Sequence, residues 1–206
     1  MKKIDSIIFI LISVVIIYIG YTYNENRKKK ETYKIALVKD LEQAYKRIKV
    51  EELDRTIKMN KNIQNYFDIA RQESNLKKSF YNDVKDYIIT EKHHNINLDL
   101  ETLDDINWKA AQQSGVLVQF NKAELVLLNK VYNINEILRI TKESVKNLTL
   151  ESFPSSTKGE INTISYKYLV ILLKLEATLY HLENAIKNTL EKLDPDNKLL
   201  KKLNSK

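Results

Sequence analysis

The sequence predicts an all-α fold, with an N-terminal transmembrane helix followed by an antiparallel helical bundle of about four main helices. The 206 residues include only three glycines and two prolines, and 30% are charged, which is typical of long helices. Apolar residues repeat at spacings of three and four in the second half of the chain. We expect an anchor at residues 1–24, a bundle at 25–194 and a basic amphipathic tail at 195–206.

The first predicted element is the membrane anchor. Residues 7–23 carry no charge and precede the basic cluster 27–30. Counted with Ser6 and Asn24, the uncharged stretch has 19 residues. At about 1.5 Å per helical residue, its length approaches the roughly 30 Å hydrocarbon core of a bilayer. The side chains assigned to the anchor include Ile7, Ile10, Val14, Ile17, Tyr18 and Tyr21.

A cleavable export signal also begins with a short basic start and an apolar run. Residues 18–23 are bulky and aromatic where a signal peptidase needs small residues, so we expect an uncleaved single-pass helix. The side of the membrane that holds the bundle stays open. Two basic residues precede the run and five follow it, which favours the cytoplasm by the positive-inside rule. Against this, a short basic N-terminus before an apolar run is how chains that export the rest usually begin. The balance leans towards the cytoplasmic side.

After the anchor, no helix breaker occurs until about Ser74, so the sequence predicts one long rod. Its apolar positions are Leu37, Leu41, Ala44 and Ile48. The stripe thins between residues 49 and 62, and its phase shifts before Ile63. A local bend and an exposed middle both explain this change. Ser74 is then a candidate N-cap for a shorter helix.

A short helix is predicted over about residues 104–113. Ser114 and Gly115 end it, with glycine in the C′ position that favours a left-handed backbone. Residues 116–120 are rich in strand-forming side chains, but no second strand is available to pair with them. We interpret this segment as an extended connector packed on the bundle.

Two long helices complete the predicted bundle. Asn121 and Glu124 form a capping box for the first, and the second opens at residues 157–160 and ends at Asp194-Pro195. The short polar link 151–156 favours an antiparallel hairpin. A heptad-like stripe on these helices is either an interaction surface or the interior of the bundle. Its residues are Leu127, Val131, Ile134, Leu138, Leu172, Leu175 and Leu179.

Signals for catalysis are weak. His93, His94 and Asp99 have the right atoms for a metal site, but adjacent histidines on a helix point about 100° apart and no HExxH motif is present. A solvated loop is the simpler interpretation. No phosphate-binding glycine loop occurs, so we expect no enzyme and no cofactor. The net charge of +7 is spread among many acids, which argues against nucleic-acid binding.

Three sequence features resemble a group of uncharacterised small single-pass membrane proteins of bacteria. They are the basic segment at residues 27–30, WKAAQQSG at residues 108–115 and FNKAEL at residues 120–125. The likeness covers roughly residues 7–150, although the anchor lacks that group's acidic and glycine-rich run. The resemblance implies this architecture and a bacterial inner membrane. It assigns no role to any residue.

The expected function is interaction. Held at the lipid bilayer, the bundle would organise an unknown protein partner or associate with copies of itself. A sensory or ligand-binding bundle that signals through a partner is the alternative. A metal-dependent enzyme based on His93 and His94 is a more remote one.

Overall fold

The computed structural model describes residues 2–72, 102–150 and 158–196, with side chains from Leu11 onward except at several helix margins. Its helices are α1 (Lys2–Arg47), α2 (Leu53–Gln72), α3 (Ile106–Gln113), α4 (Lys122–Leu150) and α5 (Lys158–Leu193). A π turn, Ile48–Glu52, joins α1 to α2, and a 3₁₀ turn, Val116–Gln119, lies between α3 and α4. The described part of the chain contains no strand, so the all-α class is confirmed.

A continuous rod, made of α1, the π turn and α2, forms the first layer of the bundle. Leu37, Leu41, Ala44 and Ile48 of this rod are buried, as the sequence predicted. One residue of an α-helix corresponds to about 100° of rotation, so the residue that the π turn inserts shifts the buried face by that angle. Beyond the turn, the described buried residues of the rod are Thr56, Met59 and Asn60. A π turn is therefore the physical form of the phase shift seen in the sequence.

Helix α4 lies antiparallel to α5, and this pair makes the most extensive helix contact. A polypeptide extends by at most about 3.5 Å per residue, so the link 151–157 can span less than about 30 Å. The 29 residues of α4 extend about 43 Å. The chain must therefore reverse direction. Helix α5 also packs on both halves of the rod and is the central helix of the bundle.

Side-chain contacts also set the direction of the rod. Residues near the start of α4 contact residues 30–34, whereas Lys142 contacts Glu52 further along the rod. Helix α4 therefore runs parallel to the rod, and α5 runs antiparallel to both. The C-terminal end of α5 thus lies towards the start of the rod.

The connection between α3 and α4 corrects one prediction. Residues 116–119 form a 3₁₀ turn instead of an extended connector, and only Phe120 has an extended backbone. No strand among the described residues is available to pair with this segment, and a local helical turn satisfies its backbone groups instead. Gly115 has a φ of 70°, the left-handed conformation expected at C′. The predicted end of the last long helix, at Leu193 before Asp194, is confirmed.

Several predicted features lie outside the described residues. They are the helix capped by Ser74, the segment with His93, His94 and Asp99, the capping residue Thr157 and most of the tail. The side chains of Ile7 and Ile10 are likewise outside, although their backbone belongs to α1. Among the side chains that are described, no helix carries an apolar stretch long enough to cross a membrane.

Candidate functional site

The π turn directs a carboxylate into the bundle. The amide of Leu53 donates to the carbonyl of Ile48, five residues back, where an α-helix would bond residues four apart. Glu52, the last residue of the turn, is only 8% exposed as a result. π turns are frequent at functional sites in helical proteins, which makes this carboxylate the first candidate for a role.

Glu52 is bound by a buried ammonium group and a buried hydroxyl. The Nζ of Lys142, in α4, donates to Oε2 of Glu52 at 2.9 Å and to Oγ1 of Thr102 at 2.7 Å. The Thr102 hydroxyl donates to the same carboxylate, 2.8 Å from Oε2. We call Glu52, Thr102 and Lys142 the buried triad. It joins the π turn, the segment before α3, and α4.

The chemistry of the buried triad suits a structural lock. A charge removed from water costs several kcal/mol, and an ion pair offsets this cost only when both partners keep their geometry. Neighbouring groups hold that geometry: Thr56 donates to the carbonyl of Glu52 at 2.7 Å, and Arg47 donates to the carbonyl of Thr102 at 3.3 Å. The triad thereby fixes both the height and the rotation of the rod against α4.

A second polar contact joins the rod to α5. The side-chain amide of Asn60 donates to the backbone carbonyl of Leu172 at 3.2 Å and to the carboxylate of Glu176. Asn60 is buried, and its Oδ1 atom has no hydrogen-bond partner among the described residues. This contact places the middle of α5 at the level of residue 60 of the rod.

Helix α3 is held by one aromatic and one polar contact. Trp108 stacks on Tyr132 of α4, with ring centroids 4.8 Å apart and planes at 4°. Asn107 donates to the carboxylate of Asp40 at 2.8 Å. Burial raises the pKa of Asp40, partly against this hydrogen bond, and burial also raises the pKa of Tyr132.

The capping box of α4 is confirmed and has a second role. Asn121 Oδ1 accepts from the amide of Glu124 at 2.8 Å, and Glu124 Oε2 accepts from the amide of Asn121 at 3.0 Å. The same carboxylate pairs with Lys34 at 3.1 Å and with Lys30 at 3.6 Å. Burial alone would raise the pKa of Glu124, but the Asn121 amide and the two lysines together lower it.

A groove of about 510 Å³ opens beside these lysines, between α1 and the 3₁₀ turn. Basic side chains of α1 dominate its lining, and Gln119 contributes from the opposite side. The Nζ of Lys30 lies 5.2 Å from the centre of the Phe120 ring, a cation-π distance. The groove begins at Tyr23, where the apolar run of the sequence ends.

The predicted interaction stripe lies mostly inside the bundle. Val131 and Leu138 of α4 are buried, as are Leu172, Leu175 and Leu179 of α5. Leu127 and Ile134 are partly exposed, and Ile134 packs against the core. In this conformation the stripe holds α4 and α5 together, so it offers little surface to another molecule.

Helix α5 carries a second apolar stripe on its opposite face. Its residues, which we call the outer stripe, are Tyr166, Val170, Leu173, Ala177 and Tyr180. All five are exposed, with Val170 at 45% and Leu173 at 48%. They repeat at spacings of four and three, as the buried stripe does. The repeat of the outer stripe is present in the sequence. The leucine-rich stripe on the opposite face of α5 is the stronger signal, so the outer stripe was not predicted.

The other predicted site residues are placed as follows. Val14, Ile17, Tyr18 and Tyr21 lie on α1 with 58 to 70% of each residue exposed. Among the described residues, no three His, Asp or Glu side chains are grouped to hold a metal ion. The metal candidates themselves lie outside the described ranges.

Comparisons with protein-family models, with curated proteins and with solved structures gave no match for this chain. The resemblance to a bacterial single-pass group stays a prediction. The function must therefore be inferred from the arrangement of the residues themselves.

The buried triad predicts strong coupling between its charges. Glu52→Met or Lys142→Met alone leaves one charge buried and unpaired, which should lower the free energy of unfolding by about 3–5 kcal/mol. The double variant removes both charges and should lose less than either single variant. Urea unfolding of the full chain in mild detergent, followed by circular dichroism, measures all three.

The control pair for this cycle is Asp54 and Lys58, in the same rod. Their ion pair, at 2.6 Å, is more than half exposed on both sides. Removing either partner should cost about 0.5 kcal/mol or less. Additive losses at Glu52 and Lys142 would show that the triad is not a coupled unit.

Glu124 predicts a specific pH dependence of stability. Because its pKa is lowered in the folded state, its contribution is complete above the unfolded value of about 4.3 and is lost as the pH falls through the folded pKa. Glu124→Gln should therefore be less stable than the parent at pH 7. This difference should shrink as the pH falls below the unfolded value and should be lost once the pH is below the folded pKa.

Urea midpoints of both proteins from pH 7 to pH 3 measure this difference. Glu136→Gln is the matched control, since its pKa is also lowered, by Arg139, but on an exposed surface. It should shift the midpoint little at any pH. A loss at Glu124 that is equal at pH 7 and pH 3 would contradict an electrostatic role.

Proposed function

We propose that this protein is a single-pass membrane protein that self-associates at the membrane surface and acts there as a scaffold. The observation that carries the proposal is the outer stripe, an apolar surface on the central helix that no described residue covers. Large exposed apolar patches on helical domains usually mark sites of association. The second part of the proposal is the anchor.

The anchor is supported by the sequence and by the continuity of α1. Residues 7–23 are uncharged, and α1 passes through them without a break. From Leu11 to Tyr23 the large apolar and aromatic side chains are more than half exposed. Exposed apolar surface of this kind has a lower free energy in contact with lipid than in contact with water. The described side chains cover only 13 of these 17 residues, fewer than the about 20 that a span requires. Residues 7–10 add the remaining apolar turn.

Lipid is a poor candidate for covering the outer stripe, because the stripe is far from the anchor. Asn60 contacts Leu172, so the middle of the stripe lies 37 residues beyond Tyr23 along the rod. At 1.5 Å per residue, this is about 55 Å. The outer stripe therefore faces a protein in the aqueous phase.

A second copy of the chain is the partner that best fits this position. Two copies anchored in one membrane present the same stripe at the same height. A two-fold axis along the membrane normal pairs the stripes in parallel, and such an interface is self-complementary. Spacings of four and three over residues 166–180 provide the seam of a two-helix contact about 21 Å long.

Disulfide crosslinking tests the proposal, since the natural chain has no cysteine. Leu173→Cys should form covalent dimers in isolated membranes, because a residue on a two-fold seam meets its own copy. Glu143→Cys, which is also exposed but lies on α4 and off the stripe, is the matched control and should stay monomeric. Equal dimer yields at both positions, or none at Leu173→Cys, would contradict self-association through the outer stripe.

A charge in the stripe should weaken the dimer. Burial of one leucine contributes about 1.5–3 kcal/mol, so Leu173→Glu should raise the dimer dissociation constant by tenfold or more. Sedimentation equilibrium in a density-matched detergent measures this constant. Because Leu173 is exposed in the monomer, the helix content and the unfolding midpoint should stay close to those of the parent.

A further inference from the structure

The groove between α1 and the 3₁₀ turn has the chemistry of an anion site. Arg27, Lys30 and Lys34 are spaced three and four residues apart, so they lie on one face of α1 and line the groove together. Glu31 is the single acid in the lining. Guanidinium and ammonium groups that converge on a concave surface are typical ligands of phosphate oxygens.

Glu124 organises these cations without cancelling them. Its carboxylate accepts from Lys34 at 3.1 Å and lies 3.6 Å from the Nζ of Lys30. With Glu31 and Glu124 counted against the three cations, the groove keeps one net positive charge. Two of the three cations are held in place before any ligand arrives, which reduces the entropy that binding must remove.

Neutral donors complete the site. Tyr23, Asn26 and Gln119 line the same groove and add a hydroxyl and two amides. A phosphate ester that carries polar substituents can use both kinds of group, because its oxygens pair with the cations while its hydroxyls bond the amides. An apolar ligand would leave these groups without partners.

The position of the groove indicates where such an ester comes from. Arg27 lies four residues beyond Tyr23, about 6 Å along the helix, and Lys34 lies about 16 Å beyond it. The headgroup layer of each leaflet is roughly 5–8 Å thick. If α1 crosses the bilayer as proposed above, Arg27 lies within this layer and Lys30 borders it.

We propose that the groove binds the headgroup of an anionic phospholipid from the leaflet next to the bundle. Arg27 and Lys30 contact the phosphate, and Asn26 and Gln119 bond the polar substituent of the headgroup. This inference rests on the proposed anchor, but it does not depend on self-association through the outer stripe. It gives the basic cluster a specific ligand in addition to its general attraction to a negative membrane.

Native mass spectrometry of the full chain tests the proposal. The protein is released from mixed micelles that contain phosphatidylglycerol and phosphatidylcholine with identical acyl chains, and the retained lipids are counted. The parent should retain phosphatidylglycerol preferentially. The double variant Arg27→Gln/Lys30→Gln should retain at least about tenfold less, because it removes both of the charged groups that contact the phosphate.

The matched control is Lys28→Gln/Lys29→Gln. It removes the same charge from the same turn of α1, but neither side chain lines the groove. Its retention should change less than about twofold, since distant exposed charges are screened. Equal losses in both double variants would overturn the site and leave only diffuse attraction. Arg27→Gln alone, at an exposed position, guards against loss of fold at Lys30 and should still lower retention.

Two further experiments distinguish a lipid headgroup from a soluble phosphate as the ligand, and test the anchor separately from the groove. Inorganic phosphate at millimolar concentration should not displace the lipid, whereas displacement together with loss of the lipid preference would assign the groove to a soluble phosphate. Alkaline carbonate extraction of the same membranes tests the anchor alone. A chain that resists extraction but shows no headgroup preference overturns the groove proposal and leaves the anchor intact.

Discussion

One inserted residue governs how this chain packs. On an ideal α-helix, Met59 of α2 lies in phase with Leu41 of α1, whereas Thr56 and Asn60 lie about 60° and about 100° away from it. The π turn at Ile48–Glu52 rotates α2 against α1 by about one residue, and both of these polar side chains are buried. It also directs Glu52 to Lys142, so the same turn that sets the rotation of α2 supplies the charge that holds it.

Polar contacts between the rod and its neighbouring helices fix the positions of the proposed surfaces along the rod. Contacts at Glu124, Glu52 and Asn60 hold the rod to α4 and α5 at three levels. The basic groove lies at the level nearest the anchor, and the outer stripe lies at the level farthest from it. If the anchor, the headgroup site and the self-association proposed above all hold, one end of the bundle contacts headgroups and the other faces a second copy in the aqueous phase.

Local signals in the sequence predicted most of the helices. The capping box at Asn121, the glycine after α3 and the proline after α5 act within a few residues, so a single sequence displays them. The buried triad joins residues 50 and 40 positions apart, and a Glu, a Thr and a Lys look like ordinary surface residues before folding. The 3₁₀ turn was not predicted because its side chains favour a strand, and no strand among the described residues pairs with it.

Deletion of Val50 tests the central claim most directly. Val50 lies in the π turn and is 73% exposed, so its removal loses almost no packing of its own. The deletion converts the turn to α-helix and rotates α2 by about 100° against α1. The deletion variant should show a clear fall in the urea midpoint relative to Val50→Ala, which keeps the chain length. A deletion variant as stable as Val50→Ala, or more stable, would show that the inserted residue is merely tolerated.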